Sequence, residues 1–272
     1  MSTILDALAV RDQELQSVRA PAWRRGFANL LNNEHRLWWG TRKWLVHLLL
    51  WLVVLNGLSL LIGLADTYDA TNPDPLYDTL VQVFFQVGAL ATAVGVVITA
   101  QGAIVGEKQL GTAAWILSKP VARGAFVLAK FVAYAGSFLA LAIVLPGAIF
   151  YGESLLLTGR VPAVAPFLAG IGIMALHTLF YLALTLMLGT LFTSRGPVSG
   201  LALGAIFAGS LLINLVPPAV LLALPWSLSA SAAGLVLGTE LPASWPVPVL
   251  ATALWTVLLL GVALWRFGHE EF

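Results

Sequence analysis

Six long apolar stretches govern what this chain can become. They lie at roughly residues 44–64, 80–105, 125–150, 166–192, 198–216 and 247–266. A segment needs about 20 mostly apolar residues to cross the hydrocarbon layer, and each stretch meets that length. Inside a bilayer no water satisfies backbone N–H and C=O groups, so such segments must be helical. Charged residues make up 10% of the 272, against about a quarter in a soluble domain. A chain so composed cannot cover itself with a solvated surface. The expected fold is an all-α integral membrane protein with six transmembrane helices.

Pro217 and Pro218 cut the fifth stretch short. The segment LLALPWSLSASAAGLVLG that follows is too broken by Pro225 and its serines to span. Residues 217–246 are read as short re-entrant helices dipping into the outer leaflet and packed against protein before span six.

Orientation follows from Lys and Arg, which accumulate on the cytoplasmic side. An even number of spans puts both termini on one side. That side would then hold thirteen of the fourteen Lys and Arg residues, leaving Arg160 alone outside. The outer loop DTYDATNPDPLYD has four Asp and no cation. Both termini are therefore expected in the cytoplasm, with the protein multi-pass in the plasma (inner) membrane. Residues 1–20 carry charges and lack an unbroken apolar core, so no secretory signal peptide is expected and span one serves as its own insertion signal. The chain has no cysteine, which excludes disulfides, thiolate metal sites and cysteine nucleophiles.

Two units are expected: a cytoplasmic N-terminal segment, 1–43, and a transmembrane domain, 44–272. Residues 22–43 are amphipathic at helical period. Trp23, Phe27, Leu30, Leu31, Leu37 and Trp38 fall in one arc, while Arg25, Asn29, Asn32, Asn33 and Arg36 fall opposite. With Arg24, these make an interfacial helix with a basic polar face and aromatic anchors. Glu34 is the misfit, a carboxylate inside the apolar arc. It is read first as snorkelling to water, with pairing to a nearby basic group as the alternative.

Between spans two and three the chain interrupts itself with EKQLGTAAWILSKPVARGAFVLAK, residues 107–130. GTAAWILSK has the length of two helical turns. Pro120 should end that helix at Lys119, because proline disfavours helical geometry in the residue before it and has no N–H of its own. A short helix would then lie across the mouth of two spans, stiffly joined to both.

The series Glu107, Gly111-Thr112, Leu117-Ser118, Pro120, Arg123 and Lys130 resembles the first cytoplasmic loop of ABC-2 type permeases, whose pattern runs roughly E…GT…LLS.P..R……K. Ala122 stands where that pattern often has Ser. The basic N-terminal segment with Asn33-Glu34, the six spans and the broken outer segment strengthen the likeness. The resemblance implies a pair of permease subunits, identical or homologous, above two copies of an ABC ATPase subunit. That partner would bind the ATP and Mg, leaving no cofactor in this chain. It further implies that Glu107, Lys108, Leu110, Gly111, Thr112, Trp115 and Pro120 form or shape a coupling helix docked on the ATPase. Arg123 would lie near the same contact or the lipid headgroups.

What the chain lacks points the same way. No G-x-x-x-x-G-K-[ST] phosphate loop is present, so the chain does not bind ATP by that route and is not expected to be an enzyme. Ion-driven carriers place ionisable groups deep in the membrane, and none of Asp, Glu, Lys or Arg is expected at the centre of a span. Nor is a catalytic site. Gly196-Pro197-Val198-Ser199-Gly200 lacks the G-x-S-x-G spacing of a nucleophile turn, and His269-Glu270-Glu271 is not a metal motif. No metal or nucleic acid is expected.

The remaining candidates concern packing and cargo. Gly196, Gly200 and Gly204 form a small-xxx-small ridge that packs either at a subunit interface or within the same subunit. Gln82 and Gln86 share a face of span two with Ala89, Ala93 and Ala100, and polar amides there should meet protein or a transport path. Asn56 and Asn214 join them as candidates for that path. His177 either lines it or simply bonds a neighbouring helix. The resulting expectation is a permease subunit of an ATP-driven exporter. An ATP-independent channel or carrier, or a membrane anchor for other proteins, are the alternatives.

Overall fold

The computed structural model describes residues 26–65, 74–119, 121–212 and 215–270, and every element among them is helical. In order these are α1 (Phe27–Trp39), α2 (Lys43–Ala65), α3 (Asp74–Ala100), α4 (Val105–Gln109), α5 (Thr112–Leu117), α6 (Arg123–Thr158), α7 (Val164–Leu191), α8 (Arg195–Leu212), α9 (Leu228–Leu237) and α10 (Pro246–Gly268). Trp23, Arg24, Arg25, Pro120 and Asn214 lie outside the described residues.

Five helical stretches are long and apolar enough to cross a membrane: α2, α3 continued through α4, α6, α7 and α10. The protein is thus a multi-pass helical membrane protein. The fifth expected stretch forms α8, which is not among those five. With 18 residues, at ~1.5 Å each, it is about 27 Å long, slightly less than the ~30 Å hydrocarbon core.

Apolar on every side, α7 occupies the middle of the bundle, as such a helix must. It packs against α10, α9, α3 and α8, burying Phe167, Met174, Tyr181, Leu182 and Leu186. The broken segment after α8 makes one turn at Pro218–Leu221, a 3-10 turn at Pro225–Ser227 and then α9. This last helix buries Leu228, Ser231, Ala232, Ala233 and Val236 against α7 and α3. By contrast α2 and α10 leave most of their apolar surface uncovered by the chain.

Two widened π turns face each other across the bundle, Leu52–Asn56 within α2 and Leu139–Val144 within α6. The second lies just before Pro146, whose missing N–H leaves a carbonyl one turn back without its usual donor. Asn56, at the end of the first, ties α2 to α6: its Nδ2 donates to Pro146 O at 3.0 Å and to Glu153 Oε2 at 3.1 Å, beyond the second π turn.

At the other end of the bundle the basic residues gather, because α3 ends there, α6 and α8 begin there and α10 ends there. Against the first turns of α6 lies α1. Trp38 is buried among His47, Tyr134 and Phe138, edge-on to the last two. The polar face expected for this helix is intact, with Asn29, Asn32, Asn33 and Arg36 exposed.

Candidate functional site

The basic end is organised around Lys130. Two turns into α6, this lysine is only 3% exposed. Its ammonium donates to Glu34 Oε1 of α1 at 2.6 Å and is also paired with Glu107 of α4. A buried ammonium persists only when its charge is matched and hydrogen-bonded, and two carboxylates do that here. One cation therefore ties three elements together. The snorkelling reading of Glu34 is corrected: the residue is buried in the stripe that α1 turns toward α6. Its carboxylate is spent on Lys130, the pairing that stood as the alternative.

Around this clamp the loop is fastened twice more. Lys108 Nζ donates to Thr190 O at 2.9 Å and pairs with Glu270 Oε1 at 2.7 Å. Arg123 donates to Gly268 O at 3.0 Å and Glu270 O at 2.8 Å, so it is bound to the end of α10. Gln109 Nε2 adds a bond to Thr193 O at 2.8 Å. The segment between spans two and three is thereby joined to α1, α6, α7 and α10.

What remains free points outward. Gly111 holds φ at +70°, a left-handed geometry that glycine adopts without a Cβ penalty, and the chain turns there from α4 into α5. Thr112 Oγ1 donates back to Glu107 O at 3.2 Å. Leu110 is 78% and Trp115 63% exposed, and Lys119 Nζ sits 3.5 Å from the centre of the Trp115 ring. The helix stops at Leu117, two residues earlier than expected. Ser118 Oγ bonds Trp115 O and Lys119 N–H bonds Ile116 O, which closes the last turn tightly. Of the expected docking residues, then, Leu110 and Trp115 face outward. Glu107, Lys108, Thr112 and Arg123 are engaged within the chain.

A second feature is a cavity of about 270 Å³ between α3, α7, α8 and the Trp226 turn, open at the side where Gln86, Leu90 and Phe207 are exposed. Gln86, His177, Tyr181, Trp226 and Ser229 contribute to its wall. His177 is 7% exposed, touches the Tyr181 ring, and its Nδ1 is buried without any hydrogen-bond partner. The reading in which His177 bonds a neighbouring helix is therefore not what the structure holds. Trp226 fits the wall because Gly209 has no side chain: a Cβ there would lie 2.6 Å from the indole ring. Its Nε1 donates to Ala205 O at 3.0 Å.

Other expected path residues scatter. Asn56 is buried and spends its amide on Pro146 O and Glu153, tying α2 to α6. Gln82 is exposed and lies off the cavity, whereas Ala89, Ala93 and Ala100 of the same stripe are buried. Gly196, Gly200 and Gly204 sit on an exposed face, and an added Cβ at any of them would meet nothing within 4 Å. Same-subunit packing of that ridge does not occur among the described residues. No group of His, Asp and Glu that could hold a metal ion is found among them either. Sequence reasoning missed the clamp's centre and the Glu270 anchor. The one available signal was Glu34, a charge at a position that helical period assigned to the buried side.

A multi-pass helical bundle with a largely apolar cavity bearing a few hydrogen-bonding groups, and a braced, outward-facing loop helix at its basic end, is of the membrane-transport class. A family model described as ABC-2 family transporter protein matches residues 69–272, and the chain belongs to that family. Membership implies an ABC ATPase as partner. No curated protein sequence matches the chain.

Proposed function

We propose that the chain is the permease subunit of an ATP-driven exporter, working as a pair of permease subunits over two ATPase subunits. On this reading α8 is the sixth crossing and the basic end is cytoplasmic. The observation that carries the proposal is the mounting of α5. Leu110 before it and Trp115 within it face outward to a partner. Meanwhile α4, joined to it at Gly111, is held by Glu107 to Lys130 and by Lys108 to Thr190 and Glu270. Arg123 at the start of α6 bonds the end of α10. Force applied to a short segment braced in this way shifts the helices behind it. Closure of the ATPase pair would press on α4–α5, and the Lys130 clamp would pass the movement to α1 and α6. The ends of α7 and α10 would follow through Lys108 and Arg123.

Cargo would use the cavity at His177 and Gln86, which holds hydrogen-bonding groups and no fixed charge among its described lining. That chemistry suits an amphipathic or hydrophobic molecule with a polar, uncharged group. The second permease subunit would cover the uncovered side of α2 and the glycine ridge of α8, where small residues permit close approach.

Replacing Trp115 by Glu tests the assignment. The side chain is exposed, so membrane insertion and thermal stability should match the parent protein. Co-purification of the ATPase partner and stimulation of its turnover should be lost. A Trp115→Glu variant that still recruits and stimulates the ATPase would overturn the role given to α5.

A further inference from the structure

At the basic end lies a cavity of about 340 Å³ that none of the preceding roles uses. Its wall includes Glu34, Glu107 and Lys130 on one side and Arg195 on the other, with Tyr134 between. Arg195 opens α8, and its guanidinium lies over two glycines of the α3–α4 turn. A Cβ on Gly102 would come within 3.1 Å of Arg195 Cζ, and one on Gly106 within 3.3 Å of a terminal nitrogen. The spacing of Gly102 and Gly106 by four residues makes this slot. Within it the guanidinium has no ion pair or hydrogen bond among the described residues. The Tyr134 hydroxyl likewise has no hydrogen-bond partner among them.

Charge in this cavity is balanced overall but separated. Two carboxylates share the single Lys130 ammonium, which leaves one negative charge in excess there. Arg195 contributes one unmatched positive charge across the space. A ligand complementary to both ends carries an anion and a cation a few ångströms apart. Guanidinium is well suited to a phosphate, which it can bind through two parallel N–H···O bonds. Carboxylates call for an ammonium that can donate N–H bonds. At the rim, Leu37 and Ile98 are exposed apolar side chains, which suit hydrocarbon rather than a soluble metabolite.

We propose that this cavity binds the zwitterionic headgroup of an aminophospholipid, a phosphoethanolamine diester. Its phosphate sits at Arg195 and Tyr134 and its primary ammonium at Glu34 and Glu107, with the acyl chains over Leu37 and Ile98. The bound lipid would lie between α8 and the clamped unit of α1 and the loop. The site does not depend on the transport reading, because lipid retention can be measured without turnover.

The test is native mass spectrometry of the full-length protein released from nanodiscs of mixed composition. Phosphatidylethanolamine, its N-methyl and N,N-dimethyl forms, phosphatidylcholine and phosphatidylglycerol are supplied in equal amounts. Retained phosphatidylethanolamine should exceed phosphatidylcholine by about tenfold, the scale of one hydrogen bond to a charged group, with stepwise loss as methyl groups replace N–H donors. Arg195→Gln and Gly102→Ala should each bring phosphatidylethanolamine retention down to the phosphatidylcholine level. Retention in the presence of millimolar glycerophosphoethanolamine supports a lipid source, and displacement by it supports the same chemistry with a soluble source. Three results would overturn the site: equal retention of ethanolamine and choline lipids, preference for phosphatidylglycerol, or full retention by Arg195→Gln. The methylation series reads the wild-type protein alone, so it decides the matter even if a variant fails to fold.

Discussion

The basic end and the middle of the bundle bury polar groups in opposite ways. At Lys130 a buried ammonium is met by the buried Glu34 and the partly buried Glu107, and three elements are locked in register. At His177 an imidazole is buried in the wall of a cavity with its Nδ1 unpartnered. Matched groups brace a structure, and removing one strands the others. An unmatched group beside a cavity costs stability in the empty protein and is recovered only when something bonds to it. The contrast separates the part of the molecule that carries force from the part that can meet a ligand.

Breaking the clamp is the severest challenge to that contrast. Lys130→Met leaves the buried Glu34 carboxylate and the partly buried Glu107 without their cation and should cost about 3 kcal/mol. Detergent-solubilised protein should lose its single size-exclusion peak or melt far below the parent. Adding Glu34→Gln and Glu107→Gln to the same chain should recover most of the loss. If the triple variant is no better than the single one, the three residues do not act as a unit.

Asn56→Leu is the next largest perturbation. It removes both bonds that tie α2 to α6 and leaves the Glu153 carboxylate without its amide donor, at about 1–3 kcal/mol. A lower melting temperature with unchanged ATPase recruitment would mark Asn56 as bracing rather than cargo-binding. A loss of transport at unchanged stability would return it to the path.

For His177→Phe the expected sign reverses. Replacing an unpartnered buried imidazole by an apolar ring of similar size should leave stability unchanged or raise it by up to about 1 kcal/mol. Substrate-stimulated ATPase activity should fall. Clear destabilisation would mean that the imidazole has a structural partner, and the contrast would collapse. The smallest effect is expected at Glu270→Gln. It keeps an amide oxygen for Lys108 and the main-chain bond to Arg123, and so gives up only the charge of a partly buried pair, about 1 kcal/mol. Its melting curve should scarcely move, while coupling between ATPase turnover and transport should weaken because α10 is less firmly tied to Lys108.

Much of the fold was legible because spanning is a local property. Stretches near 44–64, 166–192 and 247–266 appear as α2, α7 and α10 with ends shifted by only a few residues. Gly111 and the run that follows it announced a short helix in the loop, and the motif around it announced the family. The site was less legible. Glu34 looked like an error in an amphipathic pattern, because its partners Lys130 and Glu107 are 96 and 73 residues further along the chain, and no local period connects them. Asn56 looked like cargo chemistry because nothing in LVVLN reveals that Pro146 will lie opposite.

By itself the sequence determined the solvent, the helices and the side on which cations collect. Each follows from the cost of exposing a backbone or burying a charge in hydrocarbon, and that cost is decided residue by residue. Only the tertiary structure decided which charges neutralise one another, which amides brace the bundle and which imidazole is left facing a cavity. Those outcomes depend on distances between helices far apart in the chain, and a hydrogen bond exists or vanishes within an ångström.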